Sequence, residues 1–417
     1  MINRRNFIQE SLAVVSLGLA VPSVFSKAVA AAAEESSLKS VSGKTLIVVQ
    51  MAGGVDGLNT IIPYRDPAYR QTRQALAVAE SEMLPVDDRV AFHQSFARMK
   101  DIFDAGKLAV IEGVGYQNPN FSHFKAMDIW QFADPEGKVN DGWLGRYFEG
   151  LTDADGHPLT GLSYGNRLPE SFQSDKLSIP AVSTLEAFQL QNADGDANPD
   201  VRRASLMKLY DVYRPANTRF AALLDTTLDN AYQSSLQLNE AHSTYKPAVA
   251  YPQSSLATGM RLLAELIDSG GSAGTTPLRV GHVFIGGFDT HTNQEATLAR
   301  LLRDTSEAIH AFWTDVSAHG HGDDVLIMTW SEFGRRVKEN AQVGTDHGWA
   351  VPMFVVGNGV KGGFYGEPPS LTNLDNGNLK YTTDFRSVYA TVLEKWLNAP
   401  PDDVLNGRFP QLPFLNA

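Results

Sequence analysis

The chain has 417 residues, no cysteine, and 47 acidic against 35 basic side chains, for a formal net charge of -12. Without thiols it can form no disulfide, thiolate metal site, cysteine nucleophile or iron–sulfur cluster. The acidic balance, with no basic block anywhere, argues against nucleic acid or an anionic membrane surface as a partner.

Residues 1–33 read as an export signal. MINRRNFIQE places Arg4-Arg5 ahead of Phe7, an apolar stretch of roughly Leu12–Phe25 contains Pro22, and AVAAAAEE offers cleavage after Ala30 or Ala33. That stretch is too short and too broken to span a bilayer. Paired arginines before Phe mark the twin-arginine type. Such a signal moves folded chains, so a metal could be loaded before export. The expected location is periplasmic or secreted, with no membrane span in the mature form. Residues 34–43 read as a linker, and 44–417 as an α/β domain large enough to bury a sizeable core.

Within that domain an apolar strand, Thr45–Met51, leads through a Gly-rich turn to a predicted helix near Pro67–Ala79. A strand at Leu108–Val114 runs into the loop GYQNPNFSH and a helix beginning near His123. Residues 141–192 read as loops with short strands. Residues 197–268 read as a helical insertion, broken at His242–Gln253, that covers one side of a sheet. Val280–Ile285, Val325–Trp330 and Val351–Val356 are apolar runs without clean alternation, as in strands covered on both faces. Between the first two, Glu295–Ser317 predicts an amphipathic helix with Leu298, Leu301, Leu302 and Ile309 on one face. Thr382–Leu397 predicts another. The pattern is α/β with a mostly parallel sheet.

Four acidic or histidine-bearing motifs sit where these apolar runs stop or start. They are Asp56 in MAGGVDGLN, Asp289 and His291 in GGFDTHTN, Glu332 in TWSEFGRR, and Asp346-His347 in GTDHGWA. In open parallel sheets ligand sites gather at the carboxyl ends of strands. Carboxylates and imidazoles collected there form a candidate metal site. Asp56 could bind an ion or merely serve its turn. Asp289 and His291, two apart on an extended segment, point the same way; a helix-capping role for this stretch is the plainer alternative. Glu332 leaves a buried strand and needs a metal or an ion pair, the latter with Arg335 or Arg336. Either arginine could instead clamp an anionic group. His347 could supply a ligand, with Asp346 either a further ligand or its orienting partner, or His347 could simply face solvent from its loop. Ser122, before His123 at a helix start, is either a nucleophile favoured by the helix dipole or an ordinary N-cap. His93 and His282 read as core or surface residues, and His319 and His321 as solvated.

Taken in order, the twin-arginine signal, MAGGVDGLNT, NPNFSHFKAMDIW, DTHTNQ, WSEFGRR and TDHGWAVPMFVVG resemble the bacterial exported family called domain of unknown function 1501. That family is similar to the alkaline phosphatase and sulfatase superfamily. The resemblance implies a three-layer α/β/α sandwich around a mostly parallel sheet, alkaline phosphatase-like. It implies a site for one or two divalent metals, zinc first, with manganese or calcium as alternatives, and hydrolysis of a small anionic phosphate or sulfate ester. Asp56 then matches the first metal-binding aspartate and Ser122 the nucleophile. Asp289, His291 and His347 match the ligands of one metal. Glu332-Phe333 takes the slot usually held by Asp-His, so a second metal would rest on Asp56 and Glu332 unless Asp346 or His123 joins them. The missing ligand keeps a second reading in view: a non-catalytic periplasmic binding or assembly protein that retains the fold.

Overall fold

The computed structural model describes residues 43–151, 160–174, 179–183, 208, 238, 240–269 and 278–416. The signal segment, nearly all of the linker and most of the predicted insertion between 197 and 239 lie outside the described residues.

In chain order the strands are β1 (Thr45–Ala52), β2 (Ile61–Ile62), β3 (Met83–Pro85), β4 (Ala91–His93), β5 (Leu108–Gly115), β6 (Gly161–Tyr164), β7 (Ala181–Val182), β8 (Val280–Gly286), β9 (Val325–Trp330), β10 (Val351–Val356), β11 (Gly363–Tyr365) and β12 (Thr383–Asp384). The main helices are α1 (Pro67–Thr72), α2 (Ala97–Asp104), α3 (His123–Phe132), α4 (Trp143–Glu149), α5 (Ser255–Ser269), α6 (Gln294–Ala318) and α7 (Phe385–Lys395).

Nine strands build one sheet in the order β11-β5-β10-β9-β1-β8-β6-β7, with β12 beside β5. Its pairs are parallel except those made by β10, which runs against both β5 and β9. The reversal matters for function: the amino end of β10 arrives at the same edge as the carboxyl ends of β1, β8 and β9. A residue just before β10 can therefore meet residues that follow the other strands. β2, β3 and β4 form a small separate antiparallel sheet.

Helices cover both faces. Gly281 and its register partner Ile47 point at Leu263 of α5. Gln50, on the opposite face by the alternation of side chains, donates to Met127 Sδ of α3. The α3 side is an aromatic layer in which Trp130 stacks on Trp330 and Phe385, and Trp143 on Tyr389. The α5 side packs α5 against α6, whose Leu298, Leu301, Leu302 and Ile309 are all buried. The architecture is a three-layer α/β sandwich around a mixed, mostly parallel sheet.

Two helices are shorter than their sequence predicts. α1 stops at Thr72, because Arg73 leaves the helix to bond Asp56, Asn59 and the carbonyls of Arg336 and Val337. α7 begins at Phe385, because Thr383 and Asp384 pair with β5 and the Asp384 carboxylate then caps Arg386 N. The segment 141–174 also contains α4, where only loops and strands are expected. His319 and His321 are held, not solvated: they pair with Asp315 and Asp268.

Candidate metal centre

Five segments meet at the carboxyl edge of the sheet. Gly53-Gly54 follows β1, Asp289-Thr290-His291 follows β8, and Ser331–Arg335 follows β9. Asp346-His347 precedes β10, and Phe121-Ser122-His123 opens α3. They pack too closely for side chains at some points. A Cβ on Gly53 (φ +118) would stand 2.4 Å from Asp289 N, and one on Gly54 (φ +77) 2.5 Å from the Phe333 ring. Glycine is needed at both places.

Asp289 is the focus. Its Oδ1 lies 3.0 Å from His291 Nε2 and 3.1 Å from His347 Nε2, and its Oδ2 3.4 Å from His123 Nε2. The Nε2 atoms of His291 and His347 are themselves 2.9 Å apart. Ligand atoms of His123, Asp289 and His347 all fall within 4.8 Å of one another, and His291 adds a fourth donor beside them. Thr290 is buried between Asp289 and His291, so those two turn together toward the centre.

The opposite edge of each ring is anchored. His123 Nδ1 sits 2.7 Å from Glu332 Oε1, His347 Nδ1 2.7 Å from the Phe121 carbonyl, and His291 Nδ1 3.3 Å from Asp346 Oδ1. Carbonyl and carboxylate oxygens only accept, so a neutral ring that donates from Nδ1 leaves Nε2 as a lone pair toward the centre. In that tautomer the ligand atoms of His123, Asp289 and His347 crowd one another, which a cation among them would relieve. Imidazoles oriented through their far nitrogen by oxygen acceptors are the usual outer layer of a metal site. The Nε2 of His123 is also buried without a hydrogen-bond partner. The donor set fits one cation.

The electrostatics agree. Burial pushes the Asp289 carboxyl up, but Arg335 and the imidazoles beside it outweigh burial and hold the group at about 2. Desolvation lowers His347, favouring the neutral ring that a metal requires. His123 runs the other way: the hydrogen bond to Glu332 raises it, which favours a protonated ring whose proton a metal would have to displace. The Asn340 side chain, chief among several partners, lowers Asp346.

Other residues singled out by the sequence stand outside the ring of donors. Asp56 is buried and accepts from Leu58 N, from Arg73 Nη1 at 2.5 Å and from Gln294 Nε2. Gln294 in turn accepts from Thr290 and Thr345. Asp56 thus steadies the two loops that carry Asp289, His291 and His347. Glu332 accepts from Gly53 N at 2.8 Å and holds His123. Arg335 is buried and donates to the carbonyls of Gly53, Gly54, Phe288 and Thr345 and, at 2.7 Å, to Asp289 Oδ1. Nε and Nη2 are fully committed to these acceptors, and Nη1 spends one of its two N–H groups on the Thr345 carbonyl. The Arg336 side chain is exposed. Ser122 holds the N-cap position of α3, yet its hydroxyl makes no capping bond. Exposed Phe121 and Phe124 flank it. His123 is the donor that the motifs understate: its neighbour Ser122 draws attention in a helix-start motif, while only the fold shows which side chain turns inward.

No curated protein matches the chain in sequence. Among solved structures it is similar to a protein in the alkaline phosphatase superfamily from Vibrio parahaemolyticus, at 9% identity and a TM-score of 0.40, over 88% of this chain and 69% of that one. It is similar to the PsFucS1 sulfatase from Pseudoalteromonas sp. at 11% identity and a TM-score of 0.36, over 88% of this chain and 70% of that one. Neither likeness assigns an activity or a residue's role. The family described as Protein of unknown function (DUF1501) matches residues 109–398, a span that holds every histidine and carboxylate of the centre, and the chain belongs to that family.

Proposed function

We propose that this chain is an exported metal-dependent hydrolase of phosphate or sulfate esters, with residues 1–33 its removable signal and 44–417 one catalytic domain. The observation that carries the reading is the idle hydroxyl of Ser122. It stands at the amino end of α3 without capping the helix, between Phe121 and His123, both of which touch the centre.

His123, Asp289, His291 and His347 would hold the cation. Three imidazoles favour zinc over calcium, with manganese between them. Bound there, a divalent cation supplies Lewis acidity that polarises an ester oxygen and neutralises developing charge. The chain's own groups do the rest. The Ser122 hydroxyl would attack phosphorus or sulfur, its proton leaving with the ester's alcohol as that bond breaks, and water would then hydrolyse the Ser122 ester to release phosphate or sulfate and restore the hydroxyl, with the first N–H groups of α3 directed at the charge that forms. Arg336, exposed on the loop after β9, attracts the anionic ester. Phe121 and Phe124 offer apolar surface to its leaving side, which makes aryl esters the first probes.

A second reading rests on donor count. Four protein donors satisfy tetrahedral zinc without an open position, the pattern of a structural site, and a non-catalytic exported binding or assembly protein would keep such a centre.

The test is turnover of 4-nitrophenyl phosphate and 4-nitrophenyl sulfate by zinc- or manganese-loaded protein and by Ser122→Ala. Loss of turnover in the variant with metal content unchanged supports the hydrolase. Equal turnover in both returns Ser122 to a helix end. Absence of turnover, together with a cobalt-loaded spectrum that ignores added azide, favours the structural reading.

A further inference from the structure

β5 is an apolar strand with one exception, Glu112. Between the register pairs Val114–Val351 and Ile111–Met353, two residues of β5 (Glu112 and Gly113) stand opposite one of β10, Pro352. Pro352 has no N–H to pair with. Gly113 takes a left-handed φ of +63, and a Cβ there would meet Thr382 Oγ1 at 1.9 Å. This is a β-bulge, which bends its strand and re-aims a side chain. The side chain concerned is a carboxylate.

A cavity of about 300 Å³ opens at this point. Its apolar wall comes from Leu58, Ile61, Val90, Leu371 and Leu379 together with Pro352. Glu112 lines it and is 8% exposed. Its one hydrogen bond is a long contact, 3.5 Å, from Arg89 Nη1 to Oε1; Oε2 has none among the described residues. A carboxylate withdrawn from water normally demands far better pairing. Burial pushes the Glu112 carboxyl up, as expected for so loosely paired a group.

Arg89 is not committed to Glu112. It is 42% exposed, reaches Asp87 at 3.7 Å, and lies over the Phe364 ring. It can leave Glu112 without losing every partner. The other basic residue of the rim, Arg65, lies over Tyr64, and Asp66 and Asp88 add negative charge beside it. Carboxylates outnumber guanidiniums around the cavity, and the buried charge is negative. A bare divalent ion would want several oxygens, whereas the wall here is hydrocarbon.

We propose that the chain carries a second ligand site at the Glu112 bulge, which takes a primary ammonium group on a compact apolar body. Glu112 is its counter-ion, the apolar wall receives the body, and Arg89 is displaced outward. The volume suits a small molecule at the low end of ligand pockets.

The experiment is calorimetric titration of the full chain at neutral pH with hexylamine and 2-phenylethylamine, against hexanol and hexanoate. The amines bind saturably, roughly tenfold or more tightly than the neutral and anionic counterparts, the cost of losing one charged hydrogen bond. Glu112→Gln, nearly isosteric, abolishes that preference while metal content stays unchanged. Leu379→Trp, which fills the cavity and keeps the charge, blocks binding of all four probes. Arg89→Gln binds the amines as well as the parent or better. The proposal falls if neither amine binds saturably, if hexanol binds as tightly, or if Glu112→Gln keeps the preference. Preference for hexanoate, lost in Arg89→Gln, would overturn it in favour of an anion site.

Discussion

His347 has an oxygen acceptor at each ring nitrogen: its Nε2 lies 3.1 Å from Asp289 Oδ1 while Nδ1 is bound to the Phe121 carbonyl. A neutral ring has one proton for the two, so a cation at Nε2 would satisfy the contact that the proton leaves. Asp289→Ala and His347→Ala should therefore abolish zinc uptake. Glu332→Gln, which reaches the centre only through the far side of His123, should weaken it by about 10–100-fold. Elemental analysis after dialysis separates the two classes, and full retention of zinc in His347→Ala would remove that residue from the centre.

Asp56 predicts a different phenotype. Its pair with Arg73 is buried on both sides, and removing one member strands the other charge at a cost of roughly 3–5 kcal/mol. Asp56→Ala should lower the denaturation midpoint sharply, while the protein that remains folded binds the same amount of metal. A drop in stoichiometry with stability intact would instead make Asp56 a ligand.

Arg335→Gln should behave as a folding defect. The guanidinium serves carbonyls from the turn after β1, the segment after β8 and the loop before β10. Each buried acceptor left unsatisfied costs on the order of 1–3 kcal/mol. Soluble yield and melting temperature should both fall. If melting is unchanged and only affinity for an anionic ester suffers, the arginine is a substrate clamp.

His282 sets a pH limit. It is fully enclosed within β8, between Ser163 and Gln50, and desolvation holds its pKa down to about 3 from the ordinary 6.5. Below pH 6.5 the unfolded chain takes up a proton that the folded chain refuses, so stability falls with pH. The loss approaches about 1.4 kcal/mol per pH unit and continues down to about pH 3. His282→Gln should flatten that slope by one proton in urea titrations run between these limits.

Much of this arrangement is legible in the sequence because strands buried on both faces leave long apolar runs. Val325–Trp330 and Val351–Val356 can be bounded from composition alone, and the motifs at their ends point to the site. What composition hides is direction and partnership. Nothing in VPMFVV says that β10 runs against its neighbours, which is why a histidine before it can face one after β8. The ends of α1 and α7 are set by long-range bonds, from Arg73 to Asp56 and from Thr383 to β5, that no local signal carries. Ser122 and His123 look alike as helix-start residues, and only packing against Phe333 and Glu332 decides which turns inward. Glu112 passes without notice inside the apolar run Leu108–Val114, and only the bulge opposite Pro352 brings it out.

Gly53 N and Glu332 Oε1 are 2.8 Å apart in space and 279 positions apart in the chain. The carbonyls gathered by Arg335 come together only when β1, β8, β9 and the approach to β10 are all in register. No fragment of the chain can assemble the donors early, and closing such distant contacts is slow. Under the proposed reading, capture of a metal would be a late event, open only to a finished sheet. The ion taken up would be set by the compartment the chain occupies when its last strand docks.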